Sequence, residues 1–136
     1  MRFAQNRPVK IVMLGAGGTG GHIAPHLYRL LYALGQRECR FLIVDGDLVE
    51  KKNLVRQNFI EADLGENKAK VLAERYSPVF GLETEYIPSY IESEEELKKL
   101  VTPRVWETGR YYSAGKWHNK TLTELVILIG AVDNNK

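Results

Sequence analysis

At 136 residues the chain can bury one hydrophobic core and is small for more than one domain. Its 44% hydrophobic and 26% charged residues are those of an ordinary globular domain, and a net charge of +2 is too small to imply a nucleic-acid or membrane partner. No apolar run approaches the roughly 18 residues that cross a bilayer, residues 1–7 lack a signal-peptide pattern, and the single Cys39 excludes an intramolecular disulfide, so a cytoplasmic protein is expected.

In chain order, Val9-Lys10-Ile11-Val12-Met13-Leu14 is a short apolar, β-branched run ended by Gly15, which predicts a buried strand. Between Thr19 and Leu34, Ile23, Leu27, Leu30, Leu31 and Leu34 recur at helical spacing, and Gly35 suits the C-terminal cap. Pro25 lies beyond the first turn of that helix and predicts a kink or a displaced start. Phe41-Leu42-Ile43-Val44 is a second buried strand, stopped by Asp45-Gly46-Asp47. Residues 48–64 support at most a short helical turn. A helix is predicted from about Asn67 to Tyr76, with Ala69, Leu72, Ala73 and Tyr76 inward and Pro78 ending it. Residues 82–87 alternate like a strand. Ser93-Glu94-Glu95-Glu96 has the form of a capping box opening a short helix with Leu97, Leu100 and Val101 inward. Residues 103–122 are irregular, rich in aromatic and basic side chains, and expected to be an inserted loop or hairpin around Ala114-Gly115. Leu125-Val126-Ile127-Leu128-Ile129 is a third fully apolar strand, leading to Asp133.

Strands alternating with helices indicate right-handed crossovers and a Rossmann-like, doubly wound α/β fold with a largely parallel sheet. Ligands of such sheets bind beyond the carboxyl ends of the strands. Three polar clusters follow strand ends here, at residues 15–21, 45–57 and 133–134, and are expected to converge on one crevice.

The first cluster contains G-x-G-x-x-G at Gly15, Gly17 and Gly20, between a strand and a helix as the motif requires. Gly15 permits the tight turn, Gly17 lets a phosphate approach the backbone, and Gly20 lets helix and strand pack closely. Unpaired amides at the helix start then face an anion. A glycine turn without a ligand is the plain alternative, and the motif does not separate a dinucleotide from ATP. Asp45, ending the second strand, is placed to accept hydrogen bonds from ribose hydroxyls, which NAD, FAD and ATP share. The following segment discriminates. Asp47, Asn53, Arg56 and Gln57 form a polar loop where a dehydrogenase would pass straight into a helix, and Asn53 and Arg56 are three apart, on one face of a helical turn. A guanidinium matches phosphate oxygens, and Lys68 adds a second, mobile cation. Two cations and a distant acid suit a magnesium triphosphate better than an uncleaved dinucleotide.

Taken together, G-x-G-G-x-G, then D-x-D-x-V-x-x-x-N-L-x-R-Q, then a lysine eleven residues on, then a strand ending in Asp-Asn resembles the ThiF/MoeB adenylyltransferases, bacterial relatives of ubiquitin-activating enzymes. The resemblance runs from Val9 to Asn134 apart from residues 103–122, and within the family is nearest to the ThiF-like members of PRTRC systems. It implies attack on the α-phosphate of Mg-ATP by the C-terminal carboxylate of a ubiquitin-like or sulfur-carrier protein, giving an acyl-adenylate and pyrophosphate. Gly15, Gly17, Gly18 and Gly20 would line the phosphates and Asp45 would hold the ribose, with Asp47 in the same cluster. Asn53, Arg56, Gln57 and Lys68 would grip the triphosphate, Arg56 and Lys68 acting catalytically, and Asp133 would hold magnesium. A homodimer is implied too. Family members extend well past the final Asp-Asn, so residues 1–136 are expected to be a truncated, single ThiF-type nucleotide-binding domain.

Two other readings compete: an NAD- or FAD-binding oxidoreductase domain, which leaves Arg56, Gln57 and Lys68 without a role, and a non-catalytic scaffold subunit. Cys39, the helical pair His22 and His26, and isolated His118 fit structural or solvated roles better than catalytic ones. The stretch Arg104 to Lys120 interleaves Trp106, Tyr111, Tyr112 and Trp117 with basic residues. A hairpin covering the sheet edge or making a dimer contact is favoured there over a nucleic-acid surface, and a lid is a further option.

Overall fold

The computed structural model describes residues 7–33, 38–82 and 84–131, the Arg56 side chain excepted. The element order is β1 (Val9–Leu14), α1 (Gly18–Ala33), β2 (Cys39–Val44), α2 (Asn53–Arg56), a 3-10 turn (Glu61–Asp63), α3 (Lys68–Phe80), β3 (Thr84–Ile87), α4 (Glu94–Val101), β4 (Val105–Ser113), β5 (Lys116–Thr123) and β6 (Leu125–Gly130). A four-stranded sheet runs β3-β2-β1-β6, and β1 pairs in parallel with both neighbours, Val9 lying opposite Cys39 on one side and Leu125 on the other. The strand order therefore reverses between β1 and β6. This is the Rossmann-like arrangement expected from the sequence.

Strand alternation decides which helix covers which residue. Val9, Ile11, Met13, Phe41 and Ile43 point to α1 and α3 and form the main core. Val12, Leu42 and Val44 point to the opposite face, where Leu100 of α4 packs on them. The centre of the main core is Tyr28, fully buried, with ring centroids 4.8 Å from Phe41, 5.6 Å from Tyr76 and 5.5 Å from Phe80. Its hydroxyl is paired with that of Thr84. The buried face of α1 is thus Gly20, Gly21, Ala24, Tyr28 and Leu31, and Leu30, expected inward, is exposed. Tyr28 outcompetes the leucine because its ring buries more apolar area while its hydroxyl finds a partner. Leu34 and Gly35 lie outside the described residues.

Both internal prolines are absorbed. Of the kink or displaced start expected at Pro25, the displaced start is not seen: α1 begins at Gly18 and continues through Pro25. α3 does not end before Pro78 but runs to Phe80, where Gly81 adopts φ 65° and the Leu82 amide returns to the Ser77 carbonyl at 3.1 Å. That six-to-one bond with a left-handed glycine is a Schellman stop, and it overrides the proline. At the other end, the Asn67 Oδ1 accepts the Lys70 amide at 3.0 Å as an N-cap, while its Nδ2 donates to the Asp45 carbonyl at 2.8 Å. Asn67→Ala removes both, and is expected to lower unfolding free energy by about 1–2 kcal/mol in a denaturant titration.

At the amino ends of the strands, Glu124 is almost fully buried and receives a two-pronged contact from Arg40, Nε to Oε2 at 3.0 Å and Nη2 to Oε1 at 2.9 Å. The Arg104 amide also donates to it. Nearby, the buried Lys10 donates to the Leu100 carbonyl at 2.7 Å, the carboxyl end of α4, where a cation complements the helix dipole.

The stretch 103–122, expected to be an inserted loop or a hairpin around Ala114-Gly115, is a hairpin: β4 and β5 run antiparallel and turn at Ala114 (φ 51°) and Gly115 (φ 80°), the paired positive values of a two-residue hairpin turn. Its root is tied where the Glu124 amide meets the Arg104 carbonyl at 2.9 Å. Among the described residues β4 and β5 pair only with each other, and their side chains are mostly exposed. The hairpin does not cover the sheet edge by pairing. It is also rooted at the amino ends of the strands, opposite the glycine turn, which removes its role as a lid.

Candidate nucleotide site

The glycine turn lies at the carboxyl end of β1, beside the point where strand order reverses. Gly15 has φ 104°, a conformation costly to any residue with a Cβ, and its amide donates to the Val44 carbonyl at 2.8 Å. Gly20 sits so close beneath this turn that a Cβ would fall 2.2 Å from the Gly15 carbonyl oxygen. A Cβ on Gly18 would meet nothing within 4 Å among the described residues. Only one of these two glycines is demanded by packing within the chain.

Asp45 ties the turn to the end of β2. Its Oδ2 accepts the Ala16 amide at 2.7 Å and its Oδ1 accepts the Asp47 amide at 2.8 Å. Burial pushes this carboxyl above the usual range, and Asp47 adds to the push, while the two amides and Lys68 oppose it. A carboxylate has about four acceptor positions, so two amides leave room for ribose hydroxyls.

Lys68 is not the mobile cation expected. Its side chain is 7% exposed, its amine lies 3.7 Å from Asp47 Oδ2, and its amide donates to the Asp47 carbonyl at 3.0 Å. The amine is therefore held beside Asp47, near enough to Asp45 to act on its charge. The Asp47 carboxylate is half-exposed and also accepts the Tyr90 hydroxyl. The Tyr90 ring lies over Gly46, where a Cβ would be 2.6 Å from it. Tyr90 was not singled out in the sequence. Its position just beyond the carboxyl end of β3 was the available signal, since ligands of parallel sheets bind there.

Buried Asn53 folds the loop on itself, its Oδ1 accepting the Glu50 amide at 2.8 Å. Arg56 closes α2, directly followed by Gln57, whose amide lies 3.4 Å from where a Gly17 Cβ would be. Gln57 Oε1 is buried without a hydrogen-bond partner among the described residues. An unsatisfied buried acceptor costs about 1–3 kcal/mol, and a donor arriving at the glycine turn would relieve it. The structure thus gathers Gly15, Gly17, Gly18, Gly20, Asp45, Asp47, Gln57 and Lys68, with the backbones of Asn53 and Arg56 close by in sequence. Asp133 lies outside the described residues. His22 and His26 are exposed on α1, and among the described residues no three His, Cys, Asp or Glu side chains gather as a metal site.

A parallel sheet reversing at a glycine turn, with an acid at the end of the next strand, defines a Rossmann-like nucleotide-binding domain. The model of the ThiF family matches residues 4–104, more than half of the chain, and the chain belongs to that family of adenylating enzymes. Among solved structures, Escherichia coli MccB with ATP is 29% identical, with a TM-score of 0.55 over 67% of this chain and 26% of MccB. The microcin C7 biosynthetic enzyme MccB in complex with N-formylated MccA is 30% identical, with a TM-score of 0.57 over 68% of this chain and 26% of that one. E. coli TcdA, a tRNA N6-threonylcarbamoyladenosine dehydratase solved with AMP, shares the fold at 24% identity and a TM-score of 0.57, over 67% of this chain and 35% of TcdA. The chain thus spans about a quarter of the length of the MccB chains it matches. Comparison with curated proteins gives no match.

Proposed function

We propose that this chain supplies the ATP-binding portion of an enzyme that adenylates the C-terminal carboxylate of a ubiquitin-like or sulfur-carrier protein. The carrying observation is that Asp45 bonds to the glycine turn through the Ala16 amide while the enclosed Lys68 amine lies beside Asp47 and acts on Asp45, beyond the carboxyl ends of β1 and β2. Structures of MccB with ATP and with MccA support a nucleotide and a partner chain at such a site. A carboxylate is already a nucleophile, so the step needs no side-chain base. One carboxylate oxygen bonds to the α-phosphorus as the bond to the pyrophosphate oxygen breaks, and pyrophosphate leaves with the electron pair. The protein must bring two anions together, hold them in line and stabilise charge on the leaving group. Lys68 and Arg56 are the cations for this work, Gly17 and Gly18 leave the backbone open to phosphate oxygens, Asn53 and Gln57 complete the grip, and Asp45 anchors the ribose. Magnesium would neutralise the phosphates further, with Asp133 its expected ligand. A homodimer in the cytoplasm completes the proposal.

Thermal shift tests it. Mg-ATP should raise the melting temperature and NAD should not, because only a triphosphate engages both cations. Arg56→Ala and Lys68→Ala should each weaken the ATP response by tenfold or more in apparent affinity, at about 1.5–3 kcal/mol for a charge-assisted contact. Each variant is compared with its own unliganded melting temperature, so loss of the Lys68–Asp47 pair does not confound the readout. Wild-type responses in both variants would refute the triphosphate assignment.

A further inference from the structure

The β4–β5 hairpin is unused by the nucleotide site. It extends about 30 Å at ~3.4 Å per residue and is anchored at Arg104 and Glu124, at the opposite end of the sheet. Residues 104–123 hold four cations, Arg104, Arg110, Lys116 and Lys120, against one acid, Glu107. Since the whole chain carries only +2, the remainder is slightly acidic and the positive charge is concentrated on this arm. Glu107 is occupied by the Asn119 amide at 3.2 Å, which leaves the cations without a local carboxylate partner along the arm.

The aromatics are exposed as well. Tyr111, Tyr112 and Trp117 are 45%, 62% and 59% exposed. They divide between the two faces of the ribbon. Tyr111 stacks on His118 on one face, with centroids 5.1 Å apart, and Tyr112 meets Trp117 edge-on at 5.5 Å on the other, where Arg110 lies 5.3 Å from the Trp117 ring. On β5, Lys116, His118 and Lys120 alternate onto one face, about 7 Å between successive side chains. A protein docking site would gather apolar side chains on one contiguous face with charges at its rim. Here aromatic planes and cations interleave on both faces, which suits a flexible polyanion that offers flat rings between its charges.

We propose that the β4–β5 hairpin is an arm that binds single-stranded nucleic acid, its bases stacking on Tyr112, Trp117 and Tyr111 and its phosphates lying along Lys116, Lys120 and Arg110. This reverses the expectation drawn from the chain's net charge, which averages the arm with an acidic body. It stands independently of the adenylation proposal.

Fluorescence anisotropy with fluorescein-labelled oligothymidylate, oligouridylate and a duplex of equal length tests it, on the full chain. Both single strands should bind more tightly than the duplex, and the two sugars are compared directly. The slope of log affinity against log salt should be about −2 to −3, as three or four phosphates give, and Lys116→Gln and Lys120→Gln should each reduce it by about 0.7. Trp117→Ala and Tyr112→Ala should weaken binding tenfold or more with the slope unchanged. The unliganded melting temperature and far-UV circular dichroism should match wild type in all four and report an intact fold. No binding at about 50 mM salt, equal affinity for duplex, or wild-type affinity in both aromatic variants would overturn the proposal. So would arm variants that turn a dimer into a monomer by light scattering while leaving oligonucleotide affinity unchanged, since the occupant would then be a second copy.

Discussion

Glu124→Ala is expected to destabilise the fold by about 3 kcal/mol or more, because it removes the buried acid that Arg40 grips and leaves Arg40 and Lys10 repelling each other, offset among the described residues only by the exposed Glu85 and, for Arg40, Glu38. Against a total of about 5–15 kcal/mol for a domain, that is a melting-temperature loss of roughly 10–20 °C. Replacing both partners, as Arg40→Met with Glu124→Leu, should recover much of the loss, since two apolar groups restore packing without an orphaned charge. A double variant as unstable as the sum of the singles would mean the pair is not coupled. The pair also sets a pH dependence. Burial pushes the Glu124 carboxyl up, but Arg40, the Arg104 amide and Lys10 outweigh it and hold it below its usual value. A carboxyl depressed in the folded state contributes fully above its unfolded value, about 4.3, and loses that contribution as pH falls through the folded value. The stability gap between wild type and Glu124→Gln should therefore be full at neutral pH and shrink below about pH 4. Asp45, whose carboxyl is raised, shifts in the opposite sense but is common to both proteins.

The second large effect separates two glycines two residues apart. Gly20→Ala places a Cβ 2.2 Å from the Gly15 oxygen and 2.9 Å from the Gly15 carbon, backbone atoms that cannot swing aside. The helix must move off the strand, and a loss of about 2–4 kcal/mol is expected, at or above the upper end of ordinary overpacking. Gly18→Ala meets no neighbour among the described residues and should leave stability within about 0.5 kcal/mol. If phosphates lie against that backbone, Gly18→Ala instead reduces the Mg-ATP thermal shift. Equal melting temperatures for Gly20→Ala and wild type would show that the turn is not packed as described.

Much of this architecture was legible in the chain. β1 and β2 read as apolar runs because strands of a covered parallel sheet need apolar side chains on both faces, whereas β6, equally apolar, is the edge of the described sheet and only partly covered. The glycine turn read as a ligand loop because strand, glycines and helix follow in that order. Asp45 and Lys68 were found as residue types, but not how they are held. Lys68 begins a helix, which suggested an exposed, mobile amine, and its burial follows from Leu48 bridging to Asn67 and folding the Asp47 loop over it. Contacts far apart in sequence left no local trace. Arg40 and Glu124 are 84 residues apart and Tyr90 and Asp47 are 43 apart, so neither pair follows from any period or motif. Pro78 misled because a proline is a local signal, whereas the helix end is set by Gly81 and by packing of Phe80 on Tyr28. The hairpin was legible from Ala114-Gly115, a turn pair between aromatic, strand-forming stretches, but not where it is rooted, because the tie of Arg104 to Glu124 spans 20 residues.

The enclosed lysine has a thermodynamic consequence. A free surface lysine gives up as much as about 1.5–2 kcal/mol of rotamer freedom when an anion fixes it. Lys68 surrenders that freedom during folding, through its contact with Asp47 and the surrounding backbone. An incoming phosphate therefore meets a charge already in place, and its capture should carry a smaller entropic penalty than its size suggests.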